Sequence, residues 1–296
     1  MARRRVLLTG GSGFIGRNIR GSTLKERFDW VSPSHAELDL TDTAQVDAYF
    51  KANRFDAIVH AAVKPGHRNA PDPSALLYSN TRQYFNLARH ASEVERLLVL
   101  GSGAIYGASA GIVMAREEQF GLRVPEDEHG FTKYVCEKHL QTLPNAVDLR
   151  LFGVYGPGED YAIRFISNIM AKCVHGLPLT IKQDRRFSYI HVDDLMPVLE
   201  HFIGQAAQHH AYNVTPDQPV LLSELAHLVL KAAGKDLPIT VSQPGLGPEY
   251  SGDNRRLKAE CPAFAPARLE DSLAGLYRWY EGQAPRIRKE ELLHDK

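Results

Sequence analysis

A short apolar segment that runs directly into a glycine-rich turn is the feature that most constrains this chain. Residues 5–8 have the character of a buried strand, and Gly10, Gly13 and Gly16 follow at a regular spacing. An amphipathic helical pattern starts inside the turn. The glycines let the backbone approach a pyrophosphate closely, and the helix N-terminus offers free N–H groups and the positive end of its dipole. A glycine-rich turn can also form without a ligand, but this order of strand, turn and helix predicts a dinucleotide site.

Strand and helix patterns alternate through the first half of the chain. Apolar segments at 57–59, 97–100 and 147–152 each follow an amphipathic helical segment. This rhythm predicts the α/β class, with a Rossmann-type doubly wound parallel sheet covered by helices on both faces. Ligands of such sheets bind at the carboxyl ends of the strands. Three residues at those ends are His60, Ser102 and Gly153.

The second half of the chain has shorter strand segments and more turn signals, which predicts a smaller α/β C-terminal substrate domain. The expected boundaries are 1–155 for the dinucleotide-binding domain with 187–205 returning to it, 156–186 and 206–285 for the substrate-binding region, and 286–296 for a charged, solvated tail. We expect Ser223 to cap a helix and 244–256 to form a loop.

Composition argues against several classes of protein. The chain has 35 Lys and Arg against 35 Asp and Glu, and this zero formal net charge is not typical of a nucleic-acid-binding protein. No apolar run reaches the roughly 18 residues that a membrane span needs, so no membrane partner is expected. Cys136, Cys173 and Cys261 are widely separated and odd in number, which predicts a reduced, cytoplasmic compartment and no metal site.

Further motifs follow the glycine turn in order along nearly the whole chain. The turn itself is spaced as T-G-x-x-G-x-x-G, and residues 102–107 read S-x-x-x-Y-G. Residues 130–133 are similar to G-x-S-K, 150–157 to R-x-x-N-V-Y-G-P and 186–194 to R-x-F-x-Y-I-H-V-D-D. In this order the chain resembles the extended short-chain dehydrogenase/reductase family, in its nucleotide-sugar epimerase, dehydratase and ketoreductase branch.

The resemblance implies a bound NAD(P) and a set of site residues. The matching cofactor positions are Thr9, Gly10, Gly13, Phe14, Ile15, Gly16, Arg17, Asp39, Leu40, His60, Ala61, Ala62, Asn80, Lys133 and Phe152. The matching catalytic positions are Ser102, His129 and Lys133. The substrate candidates are Ser102, Gly103, Tyr106, Gly153, Arg186 and Arg255. The two arginines are chosen because a guanidinium fork suits a pyrophosphate, although Arg255 could equally be a surface residue.

One catalytic position departs from the family pattern. Aligning 130–133 with G-x-S-K places His129 where the family has tyrosine, four residues before Lys133. A Y-x-x-x-K pair does occur at Tyr134 and Lys138, but it lies about 140° further round the helix, so both pairs cannot face the nicotinamide. The surrounding residues favour the pair of His129 and Lys133.

A histidine at this position leaves three readings open. Imidazole can transfer protons and a neighbouring Lys133 favours its neutral form, so we expect slower reduction that falls as pH rises through the pKa of His129. Another acid could come from the acidic segment 108–128, although a solvated surface is the favoured reading of that segment. The histidine could also be an introduced substitution.

Two further departures bear on substrate and cofactor. Gly153 stands where the family usually has asparagine, so the pocket is wider or lacks a hydrogen bond. Residues 31–35 contain no carboxylate of the kind that holds the ribose 2′-OH of NAD, and the first acid after them is Glu37. With serines, a histidine and Arg17 in reach of the turn, NADP is favoured and NAD is the alternative.

These features together favour an NAD(P)-dependent oxidoreductase that reduces a nucleotide-activated keto-sugar, such as a 4-keto-6-deoxy sugar. One alternative is an epimerase or dehydratase that retains NAD, and another is a non-catalytic nucleotide- or cofactor-binding protein. The resemblance also implies a homodimer, in which the helical segments 78–92 and 130–143 of two copies form a four-helix bundle.

Overall fold

The computed structural model describes residues 3–66 and 70–292. The strands are β1 (Arg5–Thr9), β2 (Asp29–Val31), β3 (Ala57–His60), β4 (Arg96–Ser102), β5 (Ile112–Ala115), β6 (Ala146–Leu151), β7 (Gly153–Tyr155), β8 (Leu179–Asp184), β9 (Arg186–Phe187), β10 (Tyr189–His191), β11 (Ala211–Val214), β12 (Val220–Leu221), β13 (Ile239–Leu246) and β14 (Tyr250–Gly252). The helices are α1 (Phe14–Gly21), α2 (Leu24–Arg27), α3 (Thr43–Ala52), α4 (Leu76–Ala88), α5 (Glu128–Leu140), α6 (Phe165–Val174), α7 (Leu195–Gly204), α8 (Leu222–Ala233), α9 (Arg255–Glu260) and α10 (Leu269–Gln283).

Six parallel strands form the main sheet, in the order β11-β6-β4-β3-β1-β2. This confirms the predicted Rossmann-type doubly wound sheet. The strand order reverses between β1 and β3, and Thr9 lies opposite His60 in that pair. The carboxyl ends of these two strands therefore open the crevice in which sheets of this kind bind ligands.

Helices bury both faces of the main sheet. Val6 and Leu8 of β1 pack on one side with residues of α1 and α7, whereas Leu7 packs on the other side with α3, α4 and α5. Successive side chains of a strand point to opposite faces, so a strand that is covered on both faces is apolar along its whole length. This is why residues 5–8 could be recognised as a strand from sequence.

A second core lies among the C-terminal helices. There, α6, α8 and α10 pack around Ile169, Leu225 and Leu276. Next to this core are a four-stranded sheet in the order β12-β9-β14-β5 and the strand pairs β10-β7 and β13-β8. The smaller C-terminal region is therefore also built from strands and helices.

Two segments differ from the sequence-based expectation because strand pairing is not visible in local composition. β11 pairs with β6, so residues 211–214 belong to the main sheet rather than to the substrate-binding region predicted for 206–285. Residues 244–256, predicted as a loop, contain the end of β13, all of β14 and the start of α9. β13 is largely exposed, and it is a strand because β8 satisfies its backbone hydrogen bonds.

Two further predictions, a solvated tail at 286–296 and a helix cap at Ser223, are wrong. Ile287 and Leu292 are buried in the second core, so the tail is anchored at least to residue 292, and 293–296 lie outside the described residues. Ser223 sits inside the first turn of α8, where its hydroxyl donates to Asp184 Oδ2 at 2.5 Å, and Leu221 is the N-cap residue. Within residues 3–66 and 70–292, no helix is both long enough and apolar enough to cross a membrane.

Candidate active site

The turn between β1 and α1 forms a cradle that requires glycine. Gly10 has a φ of 72°, and a Cβ there would lie 2.6 Å from the amide nitrogen of Ala62. A Cβ at Gly16 would overlap the carbonyl oxygen of Gly10. The bare backbone leaves room for a pyrophosphate at the N-terminus of α1, and the cradle therefore fits a dinucleotide.

A groove of about 450 Å³ continues from this cradle along the carboxyl ends of β1 and β3. The predicted cofactor residues that line it are Thr9, Gly10, Gly13, Phe14, Ile15, Gly16, Leu40, Ala61 and Ala62. Their positions follow directly from the ends of consecutive strands, which is why the motif places them together.

His60 and Asn80, two more predicted cofactor residues, support the groove from behind. The Nδ1 atom of His60 lies 2.8 Å from Thr9 Oγ1, and the Oδ1 atom of Asn80 accepts from the Lys64 amide at 2.7 Å. Burial, together with the Lys133 ammonium, lowers the pKa of His60 to about 3. The His60 imidazole is therefore neutral at pH 7 and fixes the end of β1.

Asp39 and Arg17 are engaged with the protein rather than with the groove. The Asp39 carboxylate accepts from the amide and the hydroxyl of Thr41, both at 2.8 Å. The Arg17 guanidinium donates to the carbonyl oxygens of Ser12 at 2.6 Å and Gly158 at 3.0 Å. The two Arg17 contacts join the glycine turn to the segment after β7.

A larger cavity of about 730 Å³ lies beyond the groove. The two spaces share Phe14, Ile15, Ala61, Val63 and Arg164 as lining residues and are therefore continuous. Besides the shared Phe14, Ile15 and Ala61, the predicted residues that line the larger cavity are Ser102, His129, Lys133, Phe152 and Gly153. All three predicted catalytic residues therefore line one cavity, which is continuous with the glycine-lined groove.

The end of β4 and the first turns of α5 position that wall. Asp127 caps α5 by accepting from the Gly130 amide at 2.8 Å, and His129 follows in the first turn. One turn later, Lys133 Nζ donates to the Leu100 carbonyl oxygen at 2.9 Å. Since residues four apart share a helix face, His129 and Lys133 both face the cavity.

Both cationic groups of this pair are shifted towards their neutral forms. Burial lowers the pKa of Lys133, and the nearby Asp148 carboxylate opposes that effect. His129 is exposed at one side, but the protein around the rest of its ring lowers its pKa towards about 4, with the positive Lys133 and Arg164 acting in the same direction and Asp127 in the opposite one. His129 is therefore neutral at pH 7, as the sequence analysis expected for a histidine beside Lys133.

The alternative pair of Tyr134 and Lys138 lies on another side of α5. The ring of Tyr134 packs against Phe120 with centroids 5.1 Å apart, and Lys138 Nζ lies 4.9 Å above the Phe120 ring. Neither Tyr134 nor Lys138 is among the described residues that line the cavity.

Three further basic side chains line the larger cavity, and sequence reasoning missed all of them. They are Arg164, Lys182 and Arg185. The predicted Arg186 points away because Arg185 and Phe187 share the cavity side, with the Arg185 guanidinium 5.3 Å from the Phe187 ring centroid. The alternation of side chains between the two faces of a strand was the available signal for choosing between the two neighbouring arginines.

Three other predicted substrate residues lie outside both cavities. The Tyr106 hydroxyl donates to Asn213 Oδ1 at 2.7 Å in the interior, and Arg255 pairs with Asp253 at 2.6 Å on the surface. Gly103 lies beneath the Phe152 ring, where a Cβ would be 2.6 Å from a ring carbon. None of the three is among the described residues that line either cavity.

Gly153 does not widen the cavity, contrary to one of the two expectations. A Cβ at this position would lie 2.5 Å from Cδ1 of Tyr189 and 2.7 Å from the Ser188 carbonyl oxygen. The Tyr189 ring therefore occupies the space of the missing side chain. The other expectation, a lost hydrogen bond, stays a prediction.

The acidic segment 108–128 is not wholly a solvated surface. Glu117 is 6% exposed, and its Oε1 accepts from the Asn213 amide at 2.8 Å. Burial raises its pKa. Glu117 contacts neither cavity among the described residues, so it ties this segment to β11 and does not serve as a replacement acid.

Comparison with known proteins identifies related sequences and folds. The family model described as "NAD dependent epimerase/dehydratase family" matches residues 6–215. GDP-L-colitose synthase from Yersinia pseudotuberculosis is 34% identical over 106 residues, which is only 34% of each chain. GDP-L-fucose synthase from Escherichia coli is 26% identical over 327 aligned positions, covering 97% of this chain and 100% of that protein. The structure of a GDP-L-fucose synthetase from Naegleria fowleri bound to NADP has a TM-score of 0.83 at 14% identity and covers 97% of this chain and 96% of that one.

Proposed function

Because this chain belongs to the NAD dependent epimerase/dehydratase family, we propose that it reduces the keto group of a nucleotide-activated sugar with a nicotinamide dinucleotide. The main support is the continuity of the glycine-lined groove with the cavity of Ser102, His129 and Lys133. Family members bind NAD(P), and the similarity to GDP-L-fucose synthase over the full chain favours a nucleotide-sugar substrate.

The side chains along the cavity would divide the work between the two ends of the substrate. A reduced nicotinamide, when bound, supplies a hydride to the carbonyl carbon. In this proposal the Ser102 hydroxyl, which lines the cavity, would donate to the carbonyl oxygen. The Lys133 ammonium would stabilise the negative charge that develops on that oxygen. Arg164, Lys182 and Arg185 would neutralise the diphosphate, since charge-assisted hydrogen bonds suit phosphate oxygens.

We further propose that NADP is preferred over NAD. Glu37 is the first acid after β2, and its carboxylate already accepts from the amide and the hydroxyl of Ser34, at 2.7 and 2.8 Å. A Cβ built on Gly11 would lie 3.3 Å from Cδ of Arg20, so this exposed arginine is beside the glycine turn. Arg20 could therefore meet a ribose 2′-phosphate, whereas Arg17 is held by two carbonyl oxygens.

Calorimetry with NADPH and NADH tests this preference. Arg20→Gln is expected to weaken NADPH binding about tenfold, the effect of one lost charged hydrogen bond, and to leave NADH binding unchanged. Arg17→Gln is the matched control and should affect the two cofactors equally. Equal affinity of the wild-type protein for both cofactors would remove the basis of the proposal.

The reaction is tested by the loss of dihydronicotinamide absorbance when the protein and NADPH are mixed with nucleoside-diphosphate 4-keto-6-deoxy-sugars. Stoichiometric oxidation of NADPH with formation of the reduced sugar is the expected result. Purified protein that carries tightly bound NAD and interconverts sugars without net oxidation would instead indicate an epimerase or dehydratase. Binding of cofactor and nucleotide with no turnover of any sugar would indicate a non-catalytic protein.

A further inference from the structure

We propose that Tyr250 delivers, through the Ser102 hydroxyl, the proton that the substrate oxygen receives, in place of the tyrosine that the family pattern has at the position of His129. This inference rests on the proposed reductive function. It assigns a proton-relay role to a residue that lies 148 positions from Ser102 in the chain and in none of the recognised motifs.

The geometry of the two hydroxyl groups carries the proposal. The Tyr250 hydroxyl oxygen lies 3.4 Å from Ser102 Oγ, which itself lines the cavity. Tyr250 starts β14, and this strand pairs with both β5 and β9. Its ring packs 4.7 Å from the Phe187 centroid and 5.1 Å from the Phe152 centroid. The phenol is therefore held against Ser102 by aromatic packing on two sides.

The hydrogen-bonding capacity of Ser102 fits a relay. A serine hydroxyl can accept two hydrogen bonds and donate one. Ser102 Oγ accepts from the Ala104 amide at 3.2 Å, and Tyr250 can supply the second donor. The serine proton is then free to point into the cavity, towards the oxygen of a bound carbonyl group.

His129 is a poor proton donor by comparison. With a pKa of about 4, its imidazole is already neutral at pH 7, and releasing a proton from that form would leave an imidazolate. Burial raises the pKa of Tyr250 to about 12, Asp127 acts in the same direction, and Ser102, the Ala104 amide and Arg164 act in the opposite one. Tyr250 therefore keeps its proton at neutral pH and yields it only to a strong base such as an alkoxide.

In the proposed transfer, each bond that forms is matched by one that breaks. As the carbonyl carbon gains the hydride, the π electron pair of the C=O bond moves to the oxygen. That oxygen bonds to the Ser102 proton while the Ser102 O–H bond breaks, and Ser102 Oγ takes the phenolic proton of Tyr250. The Tyr250 phenolate, stabilised by the positive charge of Arg164, regains a proton from water. The reductant is the reduced nicotinamide of the proposed function.

Substitution of Tyr250 tests the relay with little disturbance of the fold, because Tyr250→Phe keeps the packed ring. We expect kcat to fall about 100-fold, the usual effect of losing a proton-transfer group, with little change in KM or in NADPH affinity. Tyr134→Phe is the matched control and should leave kcat unchanged. Because both hydroxyls act in one relay, Ser102→Ala combined with Tyr250→Phe should lose no more than Ser102→Ala alone.

Repeating the Tyr250→Phe substitution in a His129→Tyr variant makes the test specific to proton transfer. His129→Tyr restores a phenol beside Lys133, so in that background Tyr250→Phe should cost much less than 100-fold. A residue that only shaped the cavity would cost the same in both backgrounds. A full loss in both backgrounds would overturn the relay.

A readout without turnover uses protein labelled with ¹³C at the tyrosine Cζ atoms. The Tyr250 signal is the one lost in Tyr250→Phe. Since the Ser102 hydrogen bond lowers the pKa of Tyr250, Ser102→Ala should raise its titration midpoint and leave the Tyr134 signal unmoved. An unmoved Tyr250 signal, or a Tyr250→Phe enzyme as active as wild type, overturns the proposal. A wild-type protein that reduces none of the sugars overturns the proposed function itself, and a moved Tyr250 signal would then report a structural hydrogen bond only.

Discussion

The two ends of the cleft are built in different ways. At the cofactor end, most of the wall comes from two short segments, 9–16 and 61–64, that follow β1 and β3, and the glycines of the first segment expose their backbone to the groove. The rest of that wall consists of Pro33, His35, Leu38, Leu40, Gln83 and Arg164. At the substrate end, long side chains converge from β4, α5, β8 and the segments around them. The first end depends on where the backbone goes, whereas the second depends on which way each side chain points.

The two ends of the cleft should therefore differ in how well they tolerate substitutions. A backbone-lined cradle has few ways to adapt, because close-packed interiors do not absorb an extra methyl group freely. Long side chains such as Arg185 can be replaced singly, with neighbouring charges partly compensating. We therefore expect effects to be larger at the cofactor end.

The largest effect is expected for Gly16→Ala. The added Cβ would overlap the Gly10 carbonyl oxygen, so the turn must open and the pyrophosphate site is lost. NADPH affinity, measured by calorimetry, should fall about 100-fold or more, which corresponds to about 3 kcal/mol. Gly21→Ala in the same helix is the control, since a Cβ there meets nothing within 4 Å. Similar affinities for the two variants would contradict a glycine-dependent cradle.

A second substitution tests packing at the opposite end. Gly153→Ala places a methyl group against Tyr189 and the Ser188 carbonyl oxygen, and only the ring is free to move. We expect a loss of about 2 kcal/mol in the free energy of unfolding, seen as a lower Tm. Gly204→Ala, at a position with open space, should change the Tm little. A Gly153→Ala protein as stable as wild type would mean that Tyr189 adapts easily and that this end is softer than the structure indicates.

Arg185 and Arg186 form a matched pair for the substrate end. Arg185→Gln removes a charge from the cavity and should weaken GDP or UDP binding about tenfold, whereas Arg186→Gln should leave it nearly unchanged. Nucleotide titrations by calorimetry measure both. The reverse order would restore the choice made from the family pattern and would place the diphosphate on the other face of β9.

The smallest effect concerns acid stability at the cofactor end. The pKa of His60 is about 3 in the folded protein and about 6.5 in an unfolded chain, so between these values only the unfolded state takes up the proton. The free energy of unfolding should therefore decrease as the pH is lowered through this window. His60 alone should account for a decrease of about 1 kcal/mol between pH 6 and pH 5.

Urea unfolding at a series of pH values measures this slope. For His60→Gln, the slope of the free energy of unfolding against pH should be smaller than for wild type by about that amount. The slope is compared, and not the absolute stability, because the variant also loses the contact with Thr9. Parallel curves for the two proteins would show that His60 is not buried in its neutral form.

The sequence was informative wherever a local property decides the structure. The glycine spacing predicted the cradle because Gly10 needs a positive φ and Gly16 has no room for a side chain. The apolar runs predicted the parallel sheet because both of its faces are covered. Ser102 and Lys133 line the cavity because one ends a strand and the other shares a helix face with His129.

Predictions of side-chain position were wrong where a residue distant in the chain provides the hydrogen-bond partner or the packing surface. Tyr106 fits a motif, but the interior offers it Asn213, and so its hydroxyl turns away from the cavity. Glu117 lies in an acidic segment that would be solvated if β11 did not provide an amide for it. A choice between neighbours such as Arg185 and Arg186 depends on strand parity, which a one-residue uncertainty reverses.

By itself, the sequence determined the strand-turn-helix cradle, the doubly covered parallel sheet and the family to which the chain belongs, because these follow from backbone preferences and apolar periodicity. Only the tertiary structure decided which side chains meet around the larger cavity. Tyr189 fills the space beside Gly153, and Tyr250 reaches Ser102 from 148 residues away. Such contacts depend on the pairing of strands that are remote in the chain, and no local pattern encodes that pairing.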